Sequence, residues 1–404
     1  IGGLIWSSLR GFTSKGTQMR ICFLATTQSI HTRRWASWFA QHGHEVHIIS
    51  FESSFPAWLK PSKLKANKFS WNAEVAGITV HHVKTLPSIP HSLLVSQPLD
   101  NLRVKHIIRK IKPDIVHGHV VFPYGFYAAC SGFHPSVLTT WGSDVLIAPK
   151  QSKISSGEVN YAMGRVDLIT TDAEHMVGEM IRLGASREKI EIIHFGTDTR
   201  KFNPGQRSEE LRRELGIVDS PTIISARGLN PVYNVETLIL AIPMVLEEFP
   251  EAKFIIAGKG SQRENLENLT ISLGVAKSTK FVGRLSQDEL PQYLASSDIY
   301  VSTSLSDAGL SASTAEAMAC GLPVVITDFG DNRKWVEDNV NGFVIHLRDP
   351  EALASKIIYL LHNKDDRIEF GRANRRVIQE RNDWGKEMGR MEKLYYRLIE
   401  RHEK

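Results

Sequence analysis

The sequence predicts an α/β protein built from two doubly wound, parallel-sheet domains, and three observations carry that expectation. Arg20–Ala25 (RICFLA) is a continuous apolar run that passes through the polar loop TTQSIHTRRW into an amphipathic helix ending near Gly43, and then into a second strand, His44–Ser50. Apolar runs separated by helices are what strands buried on both faces look like. This alternation breaks at Phe195–Pro204 (FGTDTRKFNP) and restarts at Thr222. Finally, 404 residues exceed the ~250–300 at which a single core stops growing.

In the first half, Ile78–Val83 reads as a strand, followed by the proline-rich LPSIPHS and a basic helix over Asp100–Lys112. Asp114–His117 is the next strand, and the loop Gly118–Gly125 after it carries His119. A helix runs to Cys130, and the strand Ser136–Thr140 ends in Trp141-Gly142-Ser143-Asp144. Val166–Thr170 is a strand, Asp172 is expected to cap the following helix, and Lys189–His194 closes the set. In a doubly wound sheet, ligands gather at the carboxyl ends of the strands. That makes His119 and Asp144 candidates, although a lone loop histidine is commonly a structural hydrogen-bonder. The first loop lacks the G-x-G-x-x-G spacing of a dinucleotide site.

Between the halves, the charged helix Ser208–Leu215 and the Gly216/Asp219/Pro221 turn mark a junction. Thr222–Ala226, Lys253–Ala257, Thr279–Val282 and Ile299–Ser302 then alternate with helices at Val235–Glu248, Ser261–Leu273 and Gln287–Ala295. Arg227 directly follows a strand, where a guanidinium suits a diphosphate; the competing reading is a solvated surface arginine. The stretch Ser302–Asp328 (STSLSDAGLSASTAEAMACGLPVVITD) reads as strand, serine- and glycine-containing loop, short helix and buried strand Val324–Thr327. Loop amides and a helix start converge on one place, which suits a phosphate, and Glu316 in the expected first turn suits hydroxyls. The same letters fit a capping box, with Ser313 as cap and Glu316 reaching back to it. Asp349-Pro350-Glu351 is a helix start, and Asp383–Glu403 an amphipathic last helix.

Composition is that of a soluble globular chain, with 42% hydrophobic and 23% charged residues, and a net charge of +5. That charge favours anionic ligands or an anionic membrane surface and gives no argument for nucleic acid. Cys22, Cys130 and Cys320 have no metal-ligand spacing and read as reduced core residues of a cytoplasmic protein. No apolar run approaches the ~20 residues of a membrane span. Residues 1–18 read as an extension, in which Leu4, Ile5, Trp6 and Leu9 offer at most a weak interfacial anchor.

The motifs SIHTRRWASWFAQHGHEVHIIS, DIVHGH, TDAEHM with LGASREKIEIIHFGTDTRKF, and above all AEAMACGLPVVITD followed by NGFVI make the chain resemble the family-four retaining glycosyltransferases from Met19 to about Leu398. The resemblance implies the GT-B architecture, two Rossmann-like domains facing across a deep cleft. Its implied layout is an N-terminal acceptor-binding domain over 19–204, a linker over 205–221, a nucleotide-sugar-binding domain over 222–378, and a C-terminal helix, 379–404, packing back on the first domain. It implies transfer of a sugar from a UDP- or GDP-sugar co-substrate, with no metal and no tightly bound cofactor. The implied acceptor is a glycan, a lipid-linked sugar or a small molecule; the expected location is cytoplasmic, and the basic stretch Arg103–Lys112 reads first as a solvated helix face and alternatively as a peripheral contact with the inner face of an anionic membrane.

By the same resemblance, Glu316 holds the ribose hydroxyls, Arg227 the diphosphate and His119 the donor sugar. Gly309, Leu310, Ser311 and Ala312 offer backbone amides, and Val282, Gly283 and Arg284 lie beside the base. His31, Thr32 and Arg33, with Asp144 and Tyr233, belong to the acceptor side or the cleft. Two positions depart from the family pattern: Ala308 stands where a Glu is usual, with Asp307 as the local substitute, and Tyr233 stands where a Lys is usual. The expected mechanism stabilises the departing diphosphate with Arg227 and the loop amides, while a donor phosphate oxygen takes the acceptor's proton. The competing functions are a non-catalytic partner subunit and a sugar-nucleotide epimerase.

Overall fold

The computed structural model describes residues 18–53, 77–85, 93–307 and 309–403. Residues 1–17, most of the expected extension, and Ala308 lie outside these. The first sheet contains β1 (Arg20–Leu24), β2 (Glu45–Ser53), β3 (Ile78–Thr85), β4 (Ile115–His119), β5 (Ser136–Thr139), β6 (Leu168–Thr171) and β7 (Ile190–Ile192), in the order β3-β2-β1-β4-β5-β6-β7. The second contains β8 (Thr222–Ala226), β9 (Lys253–Ala257), β10 (Thr279–Gly283), β11 (Ile299–Ser302), β12 (Val324–Thr327) and β13 (Gly342–Ile345), ordered β10-β9-β8-β11-β12-β13. Pairing is parallel, with β1 between β2 and β4, and β8 between β9 and β11. Both sheets reverse their winding beside their first strand, so each has a switch point, β1/β4 in one and β8/β11 in the other, where two loops part and leave a crevice.

The second sheet shows why its strands read as unbroken apolar runs. Ile223, Phe254, Ile256, Val301, Val325 and Phe343 enter one core cluster, while their neighbours Ile224, Ile255, Tyr300, Val324, Ile326 and Val344 enter another on the opposite face. Alternate side chains point to opposite faces, and helices cover both. The described residues form two compact units. One comprises those up to 170 with 180–191 and 393–403; the other comprises 171–179 and 192–392. The stretch 192–221 therefore packs with the second sheet.

Three local expectations are corrected. His119 is the last residue of β4 and not a loop residue, because its backbone pairs with Thr139 of β5. Asp172 does not cap a helix, since the next one starts only at Met176. The basic helix begins at Leu93, so Asp100 lies inside it, buried and paired with Arg103 at 3.1 Å. The expected helix start at Asp349 is present: its carboxylate accepts from the Ala352 amide at 2.9 Å, with Pro350 in the first turn.

A buried polar chain within the first unit includes the end of the C-terminal helix Trp384–Glu403, residues 393–403. The Tyr395 hydroxyl lies 2.5 Å from His117 Nδ1, His117 Nε2 lies 2.6 Å from Thr139 Oγ1, and Thr139 lies 2.5 Å from the Thr170 hydroxyl. Tyr395 also stacks on Phe39 with ring centroids 5.1 Å apart. Tyr395→Phe keeps the stacking and leaves His117 Nδ1 without a partner, so it should cost ~1–3 kcal/mol, read as a lower denaturation midpoint at unchanged slope.

Candidate functional site

Arg227 follows β8 and Asp307 follows β11, so the two meet at the switch point of the second sheet. Arg227 Nη2 donates to Asp307 Oδ1 at 2.5 Å, and Nη1 donates to Ser313 Oγ at 3.3 Å. The Ser313 hydroxyl lies 2.8 Å from that of Tyr300, a residue of β11. Tyr233 lies beneath the guanidinium, 4.7 Å from ring centroid to Cζ. Its close approach needs Gly228, where a Cβ would come within 2.6 Å of the ring. Burial is the largest influence on Arg227 and works against its charge, but Asp307, Tyr300 and Tyr233 together outweigh it and hold the guanidinium above its ordinary range. Burial also pushes the Asp307 carboxyl up, against the pull of Arg227.

The loop after β11 is pinned at both ends. Leu305 N donates to the Val232 carbonyl at 2.8 Å, and Thr327 Oγ1 to the Ser304 carbonyl at 2.6 Å. At the far end, Ser311 caps the helix Ala312–Ala319, its hydroxyl accepting from Thr314 N at 3.3 Å. This corrects the expected cap at Ser313: that side chain turns to Arg227 instead, and Glu316 falls in the second helical turn, half-buried. Gly309 packs against the Asp172 carbonyl, where a Cβ would stand 3.0 Å away. The Asp172 segment is itself held by Asp331, which accepts from the Glu174 amide at 2.6 Å and the His175 amide at 3.3 Å.

The switch point of the first sheet is aromatic. His119 at the end of β4 is buried, with both ring nitrogens lacking a hydrogen-bond partner among the described residues. It packs edge-on to Trp35 and Phe23, at 5.0 and 5.2 Å, and lies 5.7 Å from Trp141. His31, in the helix Ile30–Gln41, meets Trp141 at 4.2 Å. Asp144 braces this loop, accepting from Trp141 N at 2.9 Å and Val121 N at 3.0 Å. Burial, then His31, lowers His119 to about 3. Burial, then Arg34, lowers His31 to about 4.

Residues 207–377 match the family described as glycosyl transferases group 1, and residues 20–173 match the glycosyl transferase 4-like family. The two halves of the chain thus carry a glycosyl transferases group 1 domain and a glycosyl transferase 4-like domain. It is 28% identical over 57% of its length to spore coat protein SA of Bacillus subtilis, and 27% identical over 78% to a sulfoquinovosyl transferase of Arabidopsis thaliana. The matches span 65% and 61% of those two relatives' own lengths. Its fold is similar to that of Anabaena HepE in complex with UDP, at 18% identity and a TM-score of 0.77, covering 94% of this chain and 100% of that one. With its seven- and six-stranded parallel sheets, the chain has the Rossmann-like units of the GT-B fold.

Of the residues singled out from the sequence, the structure brings Arg227, Asp307 and Tyr233 into direct contact, with Ser311, Ala312 and Glu316 on the adjoining helix. Val282 and Gly283 end β10 half-buried, and Arg284 is exposed. His31, His119 and Asp144 gather in the first unit. Thr32 there is buried, and Arg33 Nε reaches the Thr27 carbonyl at 3.3 Å. Sequence reasoning missed Tyr300 and Asp331. Tyr300 had a signal, since a tyrosine inside an otherwise apolar strand needs a partner for its hydroxyl; Asp331 had none. Among the described residues no three His, Cys, Asp or Glu side chains form a metal-ligand set.

Two outcomes follow from this geometry. Ser311→Ala should cost ~1 kcal/mol of stability, whereas Glu316→Ala should leave the cap intact, as paired thermal melts would report. His119, His31 and His117, the last lowered by burial and then by His119, stay neutral in the folded protein well below pH 6.5. The unfolded chain protonates them near ~6.5, so stability present above that pH is lost as pH falls toward the folded values. His119→Gln should reduce the slope of unfolding free energy by ~1.4 kcal/mol per pH unit between about pH 6 and 4, measured by denaturant titration.

Proposed function

We propose that the protein transfers a sugar from a UDP- or GDP-sugar to a glycan, lipid-linked or small-molecule acceptor, with retention of anomeric configuration. The observation that carries this reading is a buried, permanently charged guanidinium at the switch point of the second sheet, beside a helix start. Such a site attracts a diphosphate, and it acts most strongly on the charge that develops as the sugar–phosphate bond breaks. Arg227 stabilises the departing diphosphate together with the amides of Gly309–Ser313. Glu316, not needed for the cap, holds the ribose hydroxyls, and Val282–Arg284 flank the base. Tyr233 takes the usual lysine's place under the guanidinium, supplying a π face in place of a second cation.

His119 contributes a neutral ring to the donor sugar, and the His31–Arg33 helix start serves the acceptor. Without donor, Asp307 pairs with Arg227; in the transfer step the departing phosphate oxygen takes the acceptor's proton. The reading needs no metal, because the guanidinium and the loop amides supply the positive potential. Among the described residues no helix is long and apolar enough to cross a membrane. Peripheral contact with an anionic membrane at the cytoplasmic face falls to the basic helix Leu93–Ile111, whose Leu102 is 62% exposed. A second reading, a non-catalytic partner subunit, is favoured by Asp307 occupying Arg227.

A donor screen that detects nucleotide release separates the two readings, since release with an acceptor present requires catalysis. In that assay Arg227→Ala should lower transfer at least ~100-fold, the scale of losing one transition-state donor, and Glu316→Ala should raise the nucleotide Kd. Retention of most of the transfer rate by Arg227→Ala would sink the mechanism.

A further inference from the structure

Arg227 has five N–H donors in a planar fork, and the structure accounts for them unevenly. Nη2 is taken by Asp307 at 2.5 Å, Nη1 reaches Ser313 at 3.3 Å, and Nε is buried with no hydrogen-bond partner among the described residues. Tyr233 covers a face of the guanidinium. A diphosphate held by paired hydrogen bonds needs the terminal nitrogens, and Asp307 occupies one of them. Two anions sharing that edge would repel each other strongly in a site where Arg227 is 8% exposed.

Building on the donor site proposed above, we infer that Asp307 competes with the donor's diphosphate for Arg227, so that donor binding exchanges one anion for another on the same guanidinium. The loop is arranged for such an exchange. Its ends are fixed by Leu305 on Val232, by Thr327 on the Ser304 carbonyl and by the Ser311 cap, while Asp307 projects between these anchors. Releasing Asp307 gives up its bonds to Arg227 and to Ser304 and leaves those anchors in place. Asp307 also keeps the buried guanidinium neutralised until a substrate anion replaces it, since an unpaired buried charge is strongly destabilising.

The test is calorimetric binding of UDP and GDP, with uridine and guanosine as phosphate-free controls, to the wild-type chain, Asp307→Asn, Asp307→Ser and Asp307→Glu. The expected result is that Asp307→Asn binds whichever diphosphate the wild type binds roughly tenfold more tightly, the scale of one close charge pair. Nucleoside binding stays unchanged, the gain shrinks with added salt, and Asp307→Glu returns affinity to the wild-type level. Asp307→Asn should also melt lower than wild type without nucleotide and gain more stability from it. Asp307→Ser reads the same way should the Asn variant not fold. Wild-type or weaker UDP and GDP binding by a folded Asp307→Asn or Asp307→Ser protein overturns the inference while leaving the donor site standing. Failure of the wild type to bind either diphosphate overturns the donor-site reading and this inference with it.

Discussion

A guanidinium taken out of water holds its charge only where an anion reaches it, and the second unit is arranged around that requirement. Arg227 leaves β8 at the point where the winding of the sheet reverses, and Asp307 arrives from β11 across the same crevice. Neither position is chemically distinctive alone. The parallel pairing of β8 with β11 brings the two strand ends together, and the covering helices exclude the water that would otherwise solvate both charges. The ion pair fixes the direction of Arg227, and Ser313, held by the Tyr300 hydroxyl, sets its second nitrogen. The proposed anion site rests on the same requirement, because a buried positive charge is costly to leave unpaired and binds strongly when an anion pairs with it.

The two sheets share one winding pattern and fill their switch points with opposite chemistry. In the second unit the crevice is charged. In the first it is lined by His31, His119, Trp35 and Trp141, whose histidines stay neutral because burial disfavours their protonated forms. Aromatic faces and neutral imidazoles suit sugar rings and hydroxyls; a guanidinium and helix amides suit phosphate. Asp144, a candidate for substrate contact on its sequence, instead accepts two backbone amides and holds the Trp141 loop in place.

The helix Ala312–Ala319 shows how a two-residue shift changes a functional reading. With Ser313 as cap, Glu316 would spend its carboxylate on the backbone. With Ser311 as cap, Ser313 turns to Arg227 and Glu316 stands a turn further along, where no cap duty claims it. Both serines have cap chemistry, and the choice between them follows from where the loop is anchored. That depends on contacts with Val232 and Asp172, 79 and 139 positions before Ser311 in the sequence.

The sequence alone determined the fold class and most of the element set. β8, β9, β11 and β12 and the helix Val235–Glu248 stand where their letters place them, because hydrophobic period and turn residues are local properties that packing here reinforces. The family-four resemblance likewise singled out Arg227 and Glu316, and the departure at Ala308 drew attention to Asp307, before any geometry was known. Only tertiary structure decided what these residues do to one another. The pairing of Arg227 with Asp307 joins residues 80 positions apart, and the bond from His117 to Tyr395 spans 278. The placement of His119 in a strand depends on β5. Such contacts have no local signature, because they are set by which strands lie side by side, and strand order is a property of the whole sheet.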